Sequence, residues 1–148
     1  MAIHQLIEIA TGNVVHEHDD TNGPIPMFGG PWGNPDLYKW KPAPKSRQLE
    51  ILKQQKEAEI KAAFNTALAS GYTCTNGITM NARLEDVLKL KAGYDLAMKL
   101  NQTTMDIRDY NNVTHSAVPI ADVDVMITEL GTNYQTLWTK KNTLLDKM

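Results

Sequence analysis

The only cysteine of the chain, Cys74, lies in the stretch GYTCTNGITM at residues 71–80. A cysteine nucleophile needs a neighbouring base and a lowered thiol pKa, and no signature of that kind surrounds this one. The adjacent Asn76-Gly77 pair is instead typical of a tight turn between two strands. We therefore expect Cys74 to pack as a small buried hydrophobic residue.

Two histidines in HEHDD, residues 16–20, are the metal candidates of this sequence. Side chains two positions apart on a strand point to one side, so His16 and His18 could begin a metal site. A complete site needs about four to six ligands, and one chain offers no obvious third. In a trimer, three such pairs could surround an ion on the symmetry axis. The alternative is a polar strand end that runs into a solvated acidic turn.

A third set, Arg108, Asp109 and His115, has the residue types of an acid-base pair. Polar pairs across an exposed hairpin are the more common explanation for such a set. The glycine-rich GGPWGNP segment lacks the lysine of a phosphate-binding loop. We therefore predict no enzyme activity, no catalytic residue and no cofactor.

The composition excludes several classes of function. Fifteen Lys and Arg residues face seventeen Asp and Glu residues in 148, a net charge of -2. This balance argues against binding nucleic acid or anionic lipid, both of which require basic surfaces. No segment approaches the roughly 20 apolar residues of a membrane span. A single cysteine and an N-terminus without a signal-peptide pattern predict folding in a reducing cytoplasm.

The N-terminal part, residues 1–45, is predicted to contain a β-hairpin over residues 2–20 and an arm. Within residues 21–44 lie six of the seven prolines and four of the nine glycines, which exclude a helix or a central strand. Aromatic side chains are interleaved with them, which a solvated linker would not usually carry. We expect the arm to lie against a surface of its own chain or of a partner, through Phe28, Trp32, Tyr38 and Trp40.

Residues 46–148 are predicted to form an α+β domain that begins with a long helix. This helix runs from Ser46, as its N-cap, to Ser70, and Gly71 suits the left-handed position that follows. Its first half is polar, and its second half carries an apolar stripe at Ile60, Ala63, Phe64, Ala67 and Leu68. The compact part of the domain is therefore expected to begin inside the helix, near residue 56.

The first hairpin of the domain has two candidate registers. A two-residue loop would place Tyr72 and Cys74 on one face, and Ile78 and Met80 on the other. A three-residue loop at residues 75–77 pairs Cys74 with Ile78, and it puts all four apolar side chains on one face. Burial of one face favours the three-residue loop, with Gly77 in the left-handed conformation.

The remaining elements are a helix, a second hairpin of open register that turns at Asn111-Asn112, and a closing helix from Pro119. Asn81 is the expected cap of the middle helix. Its expected buried stripe comprises Leu84, Val87, Leu88, Tyr94, Ala97 and Met98. Apolar residues of the closing helix repeat in a heptad pattern from Val123, which Lys141 interrupts. That stripe is either an oligomer seam or the face that packs on the two hairpins.

The order helix, hairpin, helix, hairpin, helix resembles the C-terminal domain of a family of tailed-bacteriophage tail and tail-fibre proteins. The resemblance covers residues 56–148 and depends mainly on turn and core positions. These positions are Gly77, Ile78 and Met80, Leu84 to Met98, Asn112, Val113, His115, Trp138 and Leu144. The start MAIHQLIEIATGNVV also looks like the short β segment that opens such proteins.

The resemblance implies a virion structural protein of the tail or baseplate region, made in the host cytoplasm. Its expected partners are tail, baseplate or tail-fibre proteins, or further copies of itself. The alternative is a fibre-assembly chaperone that is not retained in the mature virion. The family has no known catalytic residues, so the resemblance assigns none here.

Overall fold

The computed structural model describes residues 2–24 and 38–148. It divides into two compact units, Met1–Lys56 and Glu57–Met148. The described residues form three α-helices and seven strands, and every strand pair is antiparallel. The predicted α+β class, with helices packed on small antiparallel sheets, is confirmed.

The first unit contains a three-stranded sheet. Strands β1 (Ile3–Glu8) and β2 (Val14–Asp19) form the predicted N-terminal hairpin. Strand β3 (Tyr38–Pro42) pairs with the other edge of β1, which gives the order β2-β1-β3. The prolines of residues 21–44 exclude a helix or a central strand, and β3 is an edge strand. An edge strand tolerates Pro42 because a missing N–H at its outer side breaks no ladder bond.

A buried polar residue, Gln5, interrupts the apolar face of β1. Its side-chain nitrogen donates to Glu17 on β2, directly opposite, at 2.8 Å. Arg47, in helix α1 (Lys45–Ala69), donates to the same carboxylate at 2.9 Å. The first bond gives the buried amide a partner, and the second pairs the accepting carboxylate with a positive charge.

Helix α1 begins one residue before the predicted cap, so Ser46 lies inside its first turn and does not cap it. The division between the two units falls within this helix. Its second half has the expected one-sided pattern, except that Ala63 is exposed. At its end Gly71 adopts a φ of 75°, the predicted left-handed conformation.

The second unit contains two hairpins and two further helices. Hairpin 1 comprises β4 (Tyr72–Thr73) and β5 (Thr79–Met80), and α2 (Leu84–Lys99) follows it. Hairpin 2 comprises β6 (Thr104–Arg108) and β7 (Thr114–Pro119), and α3 (Ile120–Asp146) closes the chain. Their shared core contains Cys74, Met80, Ala82, Val87, Ile107, Val118, Val123, Met126 and Leu130.

The three-residue register predicted for hairpin 1 is confirmed. Tyr72 pairs with Met80, the Cys74 N–H donates to the Ile78 carbonyl at 2.9 Å, and Gly77 has a φ of 85°. All four apolar side chains therefore contribute to the core.

Hairpin 2 has the same loop geometry, which decides the register that the sequence left open. The Asp109 N–H donates to the Val113 carbonyl at 2.9 Å, and Asn112 takes the left-handed position with a φ of 62°. Asparagine tolerates that conformation better than most residues that have a side chain.

Two expectations for α2 are wrong. The helix begins at Leu84 after Arg83, so Asn81 is not its cap. Its inward face consists of Val87, Leu90, Tyr94 and Ala97, whereas Leu84, Leu88 and Met98 are exposed. Because α2 has apolar residues on two sides, its own periodicity did not determine which side would be buried.

Helix α3 starts one residue later than predicted, with Pro119 as its N-cap. Its first half packs in the core through Val123, Met126 and Leu130. The Lys141 ammonium, which interrupts the heptad stripe, lies 4.7 Å from the centre of the Phe64 ring of α1. A cation can occupy this position of an apolar stripe because an aromatic face attracts it.

Candidate functional site

Cys74 lies in the core beneath the loop of hairpin 1 and is only 3% exposed. Burial, reinforced by the nearby Glu129 carboxylate, raises the pKa of the thiol to about 12. Glu129 itself accepts a hydrogen bond from the Thr75 N–H at 3.0 Å, which fixes the carboxylate next to the thiol. A nucleophilic cysteine requires the opposite shift, so this environment keeps Cys74 in its unreactive thiol form.

The fold brings Asp109 and His115 together, as the acid-base hypothesis required. The His115 Nε2 atom lies 2.9 Å from Asp109 Oδ2, and this contact is the main reason that the pKa of Asp109 is lowered. The other carboxylate oxygen accepts the N–H groups of Asn111 and Val113, each at 2.9 Å. Asp109 therefore holds the loop of hairpin 2, and Arg108 supports it by donating to the Asn112 carbonyl at 3.1 Å.

An open depression of about 330 Å³ lies between α2 and hairpin 2. One of its carboxylates, Asp106, accepts the N–H of Ala117 at 2.9 Å and so stabilises a bulge in β7. Ala117 has a φ of 55°, unusual for a residue with a side chain. Charges of both signs line the depression, at Asp86, Lys89, Asp106, Arg108 and Asp109. The carboxylates at its hairpin side are thus engaged with backbone groups.

His16 and His18 do share one face of the N-terminal sheet, where both rings meet Trp40 edge-on at 5.9 and 6.3 Å. His18 Nε2 also lies 3.0 Å from the Gly23 carbonyl. A third histidine, His4, was not among the predicted metal candidates; it pairs with His18 across the strands and lies on the same face. Within residues 2–24 and 38–148, no three potential ligand side chains are grouped so that they could hold a metal ion.

Only half of the proposed aromatic arm falls within the described residues. Tyr38 and Trp40 lie on β3 and are half-buried, and Trp40 packs against the histidines of β2. Phe28 and Trp32 lie outside the described residues. The role of this segment in partner binding stays a prediction.

An exposed apolar surface on α2 is the feature that the sequence analysis missed. We call it the leucine row, and its members are spaced four residues apart at Leu84, Leu88, Ala92, Leu96 and Leu100. Its four leucines are 45% to 60% exposed. Residues four apart are neighbours on a helix surface, so they form a continuous ridge. The spacing is visible in the sequence, but the predicted buried stripe of α2 includes two of these leucines, Leu84 and Leu88.

A second exposed apolar group lies beside the turn of the N-terminal hairpin. Ile9, Val14 and Val15 are all more than one third exposed there, and β2 is an edge of its sheet. An edge strand with β-branched side chains offers backbone and apolar groups that another protein chain can bind.

No protein-family model, no curated protein and no solved structure matches this chain. In the described part of the chain, no helix is both long and apolar enough to cross a membrane.

Proposed function

We propose that this chain is a structural protein of a tailed-bacteriophage virion, located in the tail or baseplate region. It joins tail or tail-fibre components through protein-protein contacts and does not catalyse a reaction. The proposal combines the resemblance of residues 56–148 to phage tail proteins with the surface properties of the fold.

The observation that supports it most directly is the exposure of apolar side chains in both units. Ile9, Val14 and Val15 are exposed in the first unit, and the leucine row is exposed in the second. Contiguous exposed apolar groups are typical of surfaces that bind other proteins. The polar clusters have structural roles instead, since Asp109 holds a loop and Cys74 is shielded.

The test is quantitative mass spectrometry of purified virions, paired with a pull-down of the tagged protein from infected cells. We expect several copies per virion and co-purification of a tail or fibre protein. Virions that lack the chain would contradict the proposal. If the pull-down then still recovered fibre protein, the chain would be an assembly chaperone.

The contact surface can be examined with two matched variants in the same pull-down. We expect V14E/V15E, or F28A/W32A in the aromatic arm, to lose the partner while the protein remains folded. Val125→Glu, at an exposed position of α3, is the control and should retain it. Retention of the partner by both double variants would exclude these two surfaces as the contact site.

A further inference from the structure

The leucine row has the same sequence of side chains in both directions. Ala92 is its midpoint, Leu88 and Leu96 lie four residues from it, and Leu84 and Leu100 lie eight residues from it. All five are exposed, on the side of α2 opposite the face that packs in the core. A ridge with this symmetry can face a copy of itself that runs in the opposite direction.

The charges near the row have the complementary symmetry. Glu85 lies seven residues before Ala92, and Lys99 lies seven residues after it. Reversing the helix about Ala92 therefore exchanges a carboxylate with an ammonium. Neither side chain forms an ion pair with another residue in the described ranges.

We propose that the leucine row is the contact surface of a homodimer in which the α2 helices of two copies pack antiparallel. The two-fold axis passes beside Ala92. In this arrangement Leu88 lies at the level of Leu96 from the second copy, and Glu85 lies at the level of Lys99 from the second copy.

A second copy fits this surface better than an unrelated partner because both patterns are self-complementary. The small side chain at Ala92 lets the helices approach most closely at the axis. Burying the leucines supplies the favourable free energy, and the charged pairs at the two ends select the antiparallel orientation. One 16-residue helix offers a small interface, so the dimer depends on protein concentration.

Cysteine cross-linking tests the position of the axis. In the A92C variant the new thiol lies beside its own symmetry mate, so oxidised glutathione should produce a disulfide-linked dimer. Leu84→Cys is the control, because its symmetry mate lies about 24 Å away along the helix, 16 residues at about 1.5 Å each. A mixture of L88C and L96C, whose side chains lie at the same level and close to the axis, should cross-link, whereas each alone should not. Cys74 is shielded and gives little background.

Charge exchange tests the orientation, with the dissociation constant measured by sedimentation of the purified protein. Glu85→Lys and Lys99→Glu should each raise it roughly tenfold, because attractive pairs become repulsive. The double variant E85K/K99E should restore it. Leu144→Glu, on the stripe of α3, should leave it unchanged.

Several outcomes would overturn the dimer. They are a monomer at all accessible concentrations, equal cross-linking of A92C and L84C alone, no restoration by the double variant, or loss of the dimer in L144E alone. Circular dichroism confirms that each variant is folded. These measurements use purified protein, so their failure is distinct from absence of the chain in virions.

Discussion

The ring of Tyr110 lies against the backbone of Gly71, with its Cδ2 atom 2.8 Å from the position that a Cβ on Gly71 would occupy. The Tyr110 hydroxyl donates to the Ala69 carbonyl at 3.0 Å, and its backbone N–H donates to the Thr79 carbonyl at 2.8 Å. One residue at the tip of hairpin 2 thereby contacts both the end of α1 and hairpin 1.

Substitution at Gly71 should be more damaging than substitution at Gly77. Both have a positive φ, which costs a residue with a side chain about 1–2 kcal/mol. Gly77 has open space around it, so Gly77→Ala should cost only that amount. Gly71→Ala must also displace Tyr110 and the Met80 carbonyl, which adds roughly 1–3 kcal/mol. Urea unfolding measures both free energies, and equal values would contradict the close contact.

Cys74 should not react with a thiol reagent in the folded protein. With a pKa of about 12, only about one thiol in ten thousand is ionised at pH 8. Labelling should become complete when the protein is unfolded in guanidinium. Lys140→Cys, at an exposed position of α3, is the control and should add one fast-reacting thiol. Rapid labelling of the native chain at Cys74 would show that the core opens locally.

The raised thiol pKa also predicts a loss of stability at alkaline pH. The folded state retains the Cys74 proton above pH 9, where the unfolded chain releases it, so the free energy of unfolding falls as pH rises from about 9 to about 12. Cys74→Ala removes this contribution. Unfolding titrations of the two proteins should therefore diverge in slope above about pH 9, and parallel curves would contradict the assigned environment.

Asp109 should make stability sensitive to acid. Its hydrogen bonds to His115 and to the loop N–H groups lower the carboxyl pKa from its ordinary 3.8. The stabilisation is thus fully present above that value and is lost as pH falls through the lower pKa of the folded state. Asp109→Asn should flatten this part of the curve, whereas Asp146→Asn, an exposed control, should leave it unchanged. Thermal unfolding between about pH 2 and pH 5 measures the difference.

Lys141 and Phe64 should be energetically coupled. A double-mutant cycle with Lys141→Met and Phe64→Leu should give a coupling of about 0.5–1 kcal/mol, the usual contribution of a cation over an aromatic ring. Lys140→Met, one position away and exposed, is the matched control and should show no coupling to Phe64. A coupling near zero would show that the Lys141 ammonium is solvated and does not interact with the Phe64 ring.

Local chemistry was sufficient to predict hairpin 1. Gly77 permits the left-handed conformation, and four apolar residues share a face in one register only, so turn type and burial led to the same pairing. For hairpin 2 the turn position was predicted but the register was not. Its bulge at Ala117 depends on the hydrogen bond that the Ala117 N–H donates to Asp106 on the opposite strand.

The candidate sites, too, could be predicted only where local geometry determined them. His16 and His18 were predicted to share one face because side chains alternate along a strand. Their contact with Trp40 depends on the pairing of β3 with β1, which the sequence did not predict. The role of Asp109 could not be predicted in the same way. Its carboxylate accepts two backbone N–H groups of the loop, and these contacts form only when the two strands of hairpin 2 pair.

Local sequence was sufficient to predict the α+β class, the order of helices and hairpins, the left-handed Gly71 and Gly77 and the buried state of Cys74. Each of these depends on turn chemistry or on one-sided periodicity within a short segment. Which side of α2 is buried depends on contacts with other elements, because both of its sides are apolar. Val87 and Ala97 pack inward with α3 and hairpin 2, which leaves Leu88 and Leu96 in solvent.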